Sequence, residues 1–150
     1  MSSVFKRILP LIAIVGAMVL TSGCAVNRAT ASLSPGADLS KVKTAYVVKH
    51  DKDKNNVNQL IKTKLEKQGY VVTTGPEMPT PYATDMSVTY VDKWMWDITM
   101  YMLELTINFR DPKTNFPIAT GNSLHTSLTR KSPEEMVEEV LTNIQASPKK

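Results

Sequence analysis

Tyr-Met-Leu-Glu-Leu-Thr-Ile-Asn-Phe, residues 101–109, is the stretch whose reading decides the fold. Tyr101, Leu103, Leu105, Ile107 and Phe109 take the odd positions, while Met102, Glu104, Thr106 and Asn108 take the even ones. Side chains on a strand alternate between two faces, so this period predicts a strand with one buried and one wetter side. Such a pattern belongs to an antiparallel sheet covered on one face only. Upstream, Met86, Val88, Tyr90, Trp94 and Trp96 share the even phase from Asp85 to Trp96, with Asp92 interrupting. Downstream, Asp111-Pro112-Lys113-Thr114-Asn115 reads as a turn in which proline pre-sets φ. Phe116 to Leu128 then returns as a strand, with Ile118, Leu124 and Leu128 in phase and Gly121 as a bulge or twist point.

The flanks add helices. Ser132-Pro133-Glu134-Glu135 opens the last one: Ser132 caps, Pro133 suits the first helical position, and Glu135 completes a capping box. Val137, Val140, Leu141 and Ile144 give it a buried stripe. Earlier, Lys41 to Lys49 is rich in β-branched residues and reads as a strand. Val57, Leu60, Ile61 and Leu65 follow at helical spacing, Gly69 closes that helix, and Tyr70 to Thr74 is a second strand. Pro76, Pro79 and Pro81 keep 75–84 a loop. The order β-α-β-β-β-α predicts an α+β two-layer sandwich, a five-stranded mixed sheet with two helices on one face.

At the N-terminus, Lys6 and Arg7 precede an apolar run from Ile8 to Leu20, and Thr21-Ser22-Gly23 lead into Cys24, the only cysteine. The run is shorter than the roughly 20 apolar residues a membrane-crossing helix needs, and fits the core of a secretory signal peptide. The stretch from Leu20 to Cys24 resembles the lipobox of bacterial lipoproteins. In that family the place three before the cysteine is apolar; here it is Thr21, with Leu20 one step earlier. The resemblance implies cleavage before Cys24 and a diacylglycerol on its thiol, followed by further acylation. Ala25 stands where aspartate would hold a lipoprotein in the inner membrane, which implies an outer-membrane location facing the periplasm. The other reading of the same run is an ordinary secretory peptide or a short membrane anchor.

The domain plan follows: a signal peptide over 1–23, the lipidated cysteine and a flexible tether over 24–40, one periplasmic domain over 41–146 and a basic tail over 147–150. Ala25 to Ser40 is small and polar, and as a flexible coil would reach about 20–25 Å. Removing 1–23 leaves 127 of 150 residues, enough for one core and no second domain. Loss of Lys6 and Arg7 takes the formal charge from +4 to +2, too little to argue for nucleic acid. A mean hydropathy of -0.18 with 42% hydrophobic residues argues for a globular body. The lipidated cysteine, tether and element order are similar to small envelope lipoproteins of Gram-negative bacteria. These include the periplasmic domain of the curli-secretion channel lipoprotein and the activator lipoproteins of penicillin-binding proteins. Ala83-Thr84-Asp85 entering a strand and Asp111 to Thr114 between strands match their layout, with Asn115 where glycine is common.

Chemistry is sparse. His50 lies beside Asp51 and Asp53, where a solvated charged loop is favoured over a metal site. His125 sits among Ser123, Thr126, Ser127 and Thr129, expected as a solvated hydroxyl-rich face. No serine-nucleophile arrangement and no phosphate-binding glycine loop occurs, so the expectation is a non-enzyme without metal or cofactor. The candidate contact surface is Tyr90, Trp94, Trp96 and Tyr101, aromatics edged by Asp92, Lys93 and Asp97. Two readings stay open: core packing beneath a helix, favoured, or an exposed patch that stacks on a glycan or peptide. The expected partners are the membrane through Cys24 and an envelope protein or peptidoglycan. The leading function is an accessory binding component of envelope assembly or secretion. The alternative is capture of a glycan or a small apolar molecule.

Overall fold

The computed structural model describes residues 26–148. Cys24 and the signal-like run before it lie outside the described residues, as does the end of the basic tail. The elements run β1 (Asn27–Leu33), β2 (Thr44–Val48), α1 (Val57–Lys67), β3 (Val71–Gly75), β4 (Met86–Asp97), β5 (Thr99–Arg110), β6 (Pro117–His125) and α2 (Pro133–Ala146). Six strands form one mixed sheet in the order β1-β6-β5-β4-β2-β3. β2 is parallel to both β3 and β4, and all other neighbours are antiparallel. The fold is α+β with two helices packed together on one face of the sheet.

The sheet has six strands and not the expected five, because part of the expected tether is β1. Asn27 to Leu33 pairs along its whole length with β6, from Asn27↔His125 to Leu33↔Ala119. Its small residues bury little, but β6 would otherwise present an open row of backbone donors and acceptors, and β1 fills it. Ala31 and Leu33 also pack against the core. The domain therefore begins near Asn27 and not at Lys41.

Both helices form as their spacing dictates. Val57, Ile61 and Leu65 of α1 are fully buried, and Gly69 takes φ +96 just past its end. Ser132 Oγ accepts from the Glu135 amide at 3.2 Å while the Glu135 carboxylate accepts from the Ser132 amide at 2.8 Å, completing the capping box of α2. α1 and α2 run in the same direction, shown by the pairing of Lys64 with Glu138 and of Gln68 with Gln145. Their apolar stripes close over Ala45, Val47, Met86, Val88, Leu105, Ile107 and Phe109.

Two phase expectations are corrected. β5 holds one residue more than β4 between Glu104 and Met102, since Lys93 pairs with Glu104 but Trp94 pairs with Met102. The extra residue, Leu103, flips the phase: Met102 enters the core and Tyr101 turns to the other face. In β6 the buried set is Ala119, Gly121, Ser123 and His125, not Ile118, Leu124 and Leu128. Gly121 is no bulge, for its ladders on both sides are regular. A Cβ there would lie 2.7 Å from Val140 Cγ1 and 2.9 Å from Ile144 Cγ1, so the missing side chain is what lets α2 approach.

Candidate functional site

β4 and β5 outrun their neighbours. The β2–β4 ladder stops at Val88 and the β5–β6 ladder at Glu104, while β4 and β5 continue to pair with each other up to Asp97 and Thr99. The result is a two-stranded ribbon that leaves the sheet at one end. At its base, beneath the loop joining β2 to α1, lies an open cavity of about 760 Å³. His50, Asp51, Lys52, Tyr90, Asp92, Trp94 and Met100 contribute to its wall.

A polar chain fixes this wall. Asp53 is 6% exposed and accepts hydrogen bonds from the amides of Asn55, Val57 and Asn58 at 3.0–3.1 Å, which ties the loop to the first turn of α1. The Tyr90 hydroxyl donates to the same carboxylate at 2.6 Å. Burial alone would raise the Asp53 pKa, but the four donors outweigh it and hold the carboxyl below its ordinary value. The Tyr90 hydroxyl is pushed well up, first by burial and then by the Asp53 charge, so it stays a donor. The His50 ring lies against Tyr90 at 4.8 Å between centroids. His50 Nε2 is 2.9 Å from Asp92 Oδ1, and Trp94 Nε1 donates to Asp92 Oδ2 at 2.5 Å. Asp92 thus orients an imidazole and an indole at once, and presents both to the cavity.

The four aromatics singled out in the sequence are divided by this geometry. Tyr90 is buried in the cavity wall. Trp94, half-buried, rests against the core with its indole N–H bound. Trp96 shares its face but stands beyond the core, 69% exposed. Tyr101 lies on the opposite face, buried between Met95, whose sulfur accepts from its hydroxyl, and Arg130, whose guanidinium sits 5.0 Å from the ring centroid. They do not form one patch.

His125 is buried, contrary to expectation. Its Nε2 is 2.8 Å from Glu139 Oε2 on α2, and Ser123 Oγ donates to the same oxygen at 2.5 Å. The sequence reading puts Asp92 at the charged edge of the aromatics and not in the wall itself, although one signal pointed inward. Asp92 falls in the apolar phase of β4, and a carboxylate there requires partners. The wall of this cavity carries, among the described residues, no Ser, Thr or Cys. Among the described residues, no group of three or more His, Cys, Asp or Glu could hold a metal ion, and no helix is long and apolar enough to cross a membrane. What the arrangement offers is an aromatic face with charged and hydrogen-bonding edges.

No protein-family model and no curated protein matches the chain. Solved structures do. A PelC dodecamer from Paraburkholderia phytofirmans is similar with a TM-score of 0.60 at 12% identity, covering 82% of this chain and 100% of that one. A variant of the same dodecamer gives 0.58 at 13% identity with the same coverage. A PDZ domain protein from Parabacteroides distasonis gives 0.49 at 12%, covering 86% of this chain and 38% of its own. At such identities the likeness to PelC is one of fold.

Proposed function

We propose that this chain is a non-catalytic lipoprotein of the bacterial envelope, held in the outer membrane by lipid on Cys24 and facing the periplasm. There it serves as a binding or accessory component of envelope assembly or secretion. The observation that carries this is the start of β1 at Asn27, three residues after Cys24. Three residues span at most about 11 Å, so a lipid on Cys24 would hold the sheet end directly against the bilayer. Two or more acyl chains make such an anchor durable. The fold it shares with PelC, which forms a dodecamer, supports a role as part of an assembly. Mass analysis of the mature protein tests the reading. The expected N-terminus is an acylated Cys24, and a chain that still begins at Met1, or carries a bare thiol at residue 24, overturns it.

The cavity favours a second reading, capture of a glycan or small apolar ligand on Trp94. Aromatic faces with hydrogen-bonding rims bind ligands of that kind. Titration with peptidoglycan fragments is then expected to quench or blue-shift the indole emission, and Trp94→Ala is expected to abolish the response. An unchanged spectrum alongside a co-purifying envelope protein favours the first reading.

A further inference from the structure

Ten large apolar side chains are exposed among the described residues, and six of them gather at one end: Val26, Met95, Trp96, Ile98, Met100 and Leu128. The registers define that end. Arg28 is level with Leu124, Leu124 with Glu104, and Glu104 with Lys93. The β4–β5 ribbon rises from there to Ile98, five residues beyond Lys93 and so about 15 Å above the sheet. Val26 precedes β1, and Leu128 follows β6, at the same level.

The ribbon carries exposed apolar side chains on both faces and at its tip, with Asp97 and Thr99 beside Met95 on the second face. Trp96 and Met100 pair on one face, Met95 lies on the other, and Ile98 is 84% exposed at the turn. Ile98 has φ +61, a region that is strained for a β-branched residue and where glycine or asparagine is usual. Neither core packing nor turn chemistry accounts for isoleucine there. Asp97 is the only acid between Trp94 and Met102. Basic residues flank the ribbon: Lys52 and Lys54 line the cavity with Met100, and Arg130 donates to the Thr99 hydroxyl, beside the tip, at 2.8 Å.

We propose that the tip of the β4–β5 hairpin is a membrane-contacting element that seats Trp96, Ile98 and Met100 in the interfacial layer of an anionic bilayer. Apolar side chains spread over both faces of a narrow ribbon fit a fluid apolar layer better than a shaped protein groove. Tryptophan favours the headgroup level, and the basic residues beside the ribbon meet anionic headgroups. The hairpin geometry stands by itself, while the direction in which it points toward the bilayer rests on the lipid anchor proposed above. Val26, two residues after Cys24 in the sequence, lies at the same end as the tip, so a lipid on Cys24 and the tip would engage one bilayer. Contact by a few side chains is weak and reversible, and it supplements the anchor.

The test uses the mature chain carrying Trp94→Phe, which leaves Trp96 as the only tryptophan. It is placed in vesicles of phosphatidylethanolamine and phosphatidylglycerol, with and without brominated acyl chains. Trp96 is expected to lose at least half its emission to the brominated lipid and to shift to the blue; adding Ile98→Asp is expected to remove most of both effects. The state of Cys24 is read separately by mass. A lipidated chain whose Trp96 is not quenched overturns the hairpin proposal and leaves the anchor standing. An unlipidated chain whose Trp96 is quenched does the reverse. Emission that ignores brominated lipid but changes on dilution identifies a contact between copies of the chain and overturns the proposal.

Discussion

Glu139 lies on the sheet-facing side of α2, where three donors converge on one carboxylate. Lys131 Nζ is 2.5 Å from Oε1, and Ser123 and His125 share Oε2. Burial would raise its pKa, yet the three donors together bring it down to about 2. A carboxyl whose folded pKa lies below its ordinary 4.5 stabilises the fold at any pH above that ordinary value, and the contribution fades as pH falls toward about 2. Chemical denaturation at pH 7 and pH 3 is expected to show that loss, and Glu139→Ala is expected to flatten it. The same substitution at pH 7 is expected to lower stability by about 2–3 kcal/mol, because it strands the buried Ser123 and His125. His125 was the wrong side of legible. Hydroxyl neighbours suggested water, and only the helix that packs over β6, distant in sequence, supplies its acid. Ser132 and Glu135, three residues apart, form their reciprocal cap as the local sequence indicates.

Between elements, α2 packs closely onto β6, and Gly121 permits it. Gly121→Ala is expected to cost about 1–3 kcal/mol, since its methyl would meet Val140 and Ile144 well inside contact distance. Thermal denaturation checks this, and Val140→Ala in the same chain is expected to recover part of the loss. Periodicity located both helices and the β2-α1-β3 unit, because those stripes report a buried face directly. It failed at β5, where the extra Leu103 changes phase within one strand, and at β6, where the inward positions are Ala119, Gly121 and Ser123. Small residues under a helix carry no hydrophobic signal, although they are what close packing requires. β1 failed for a related reason. Its stability lies in backbone pairing with β6, which composition does not record.

For the molecule as a whole, the described core residues belong to a single layer between helices and sheet, apart from Tyr101 and a small cluster of Tyr46, Val48 and Tyr82 on the open face. That core is formed by residues from Ala31 onward. Residues 25–150 behind an ordinary cleavable signal peptide are expected to accumulate as soluble periplasmic protein with the melting temperature of the lipidated form; fractionation and thermal denaturation check both halves. The expected location rests on twenty-four residues, because secretion signals are local. The candidate site was half readable. Tyr90, Asp92 and Trp94 share β4 in its wall, but His50 and Asp53 join them only through the loop between β2 and α1.

The short run from Cys24 to Asn27 has one more consequence. A long leash would let the cavity tumble and sample the periplasm in three dimensions. With lipid at residue 24 and the ribbon beside it, the mouth near Trp94 would sweep a plane, meeting only molecules that pass within a few nanometres of the leaflet. Such a protein acts as a fixed-height reader of the membrane's surface layer, and lengthening the leash would blunt it without touching one residue of its wall.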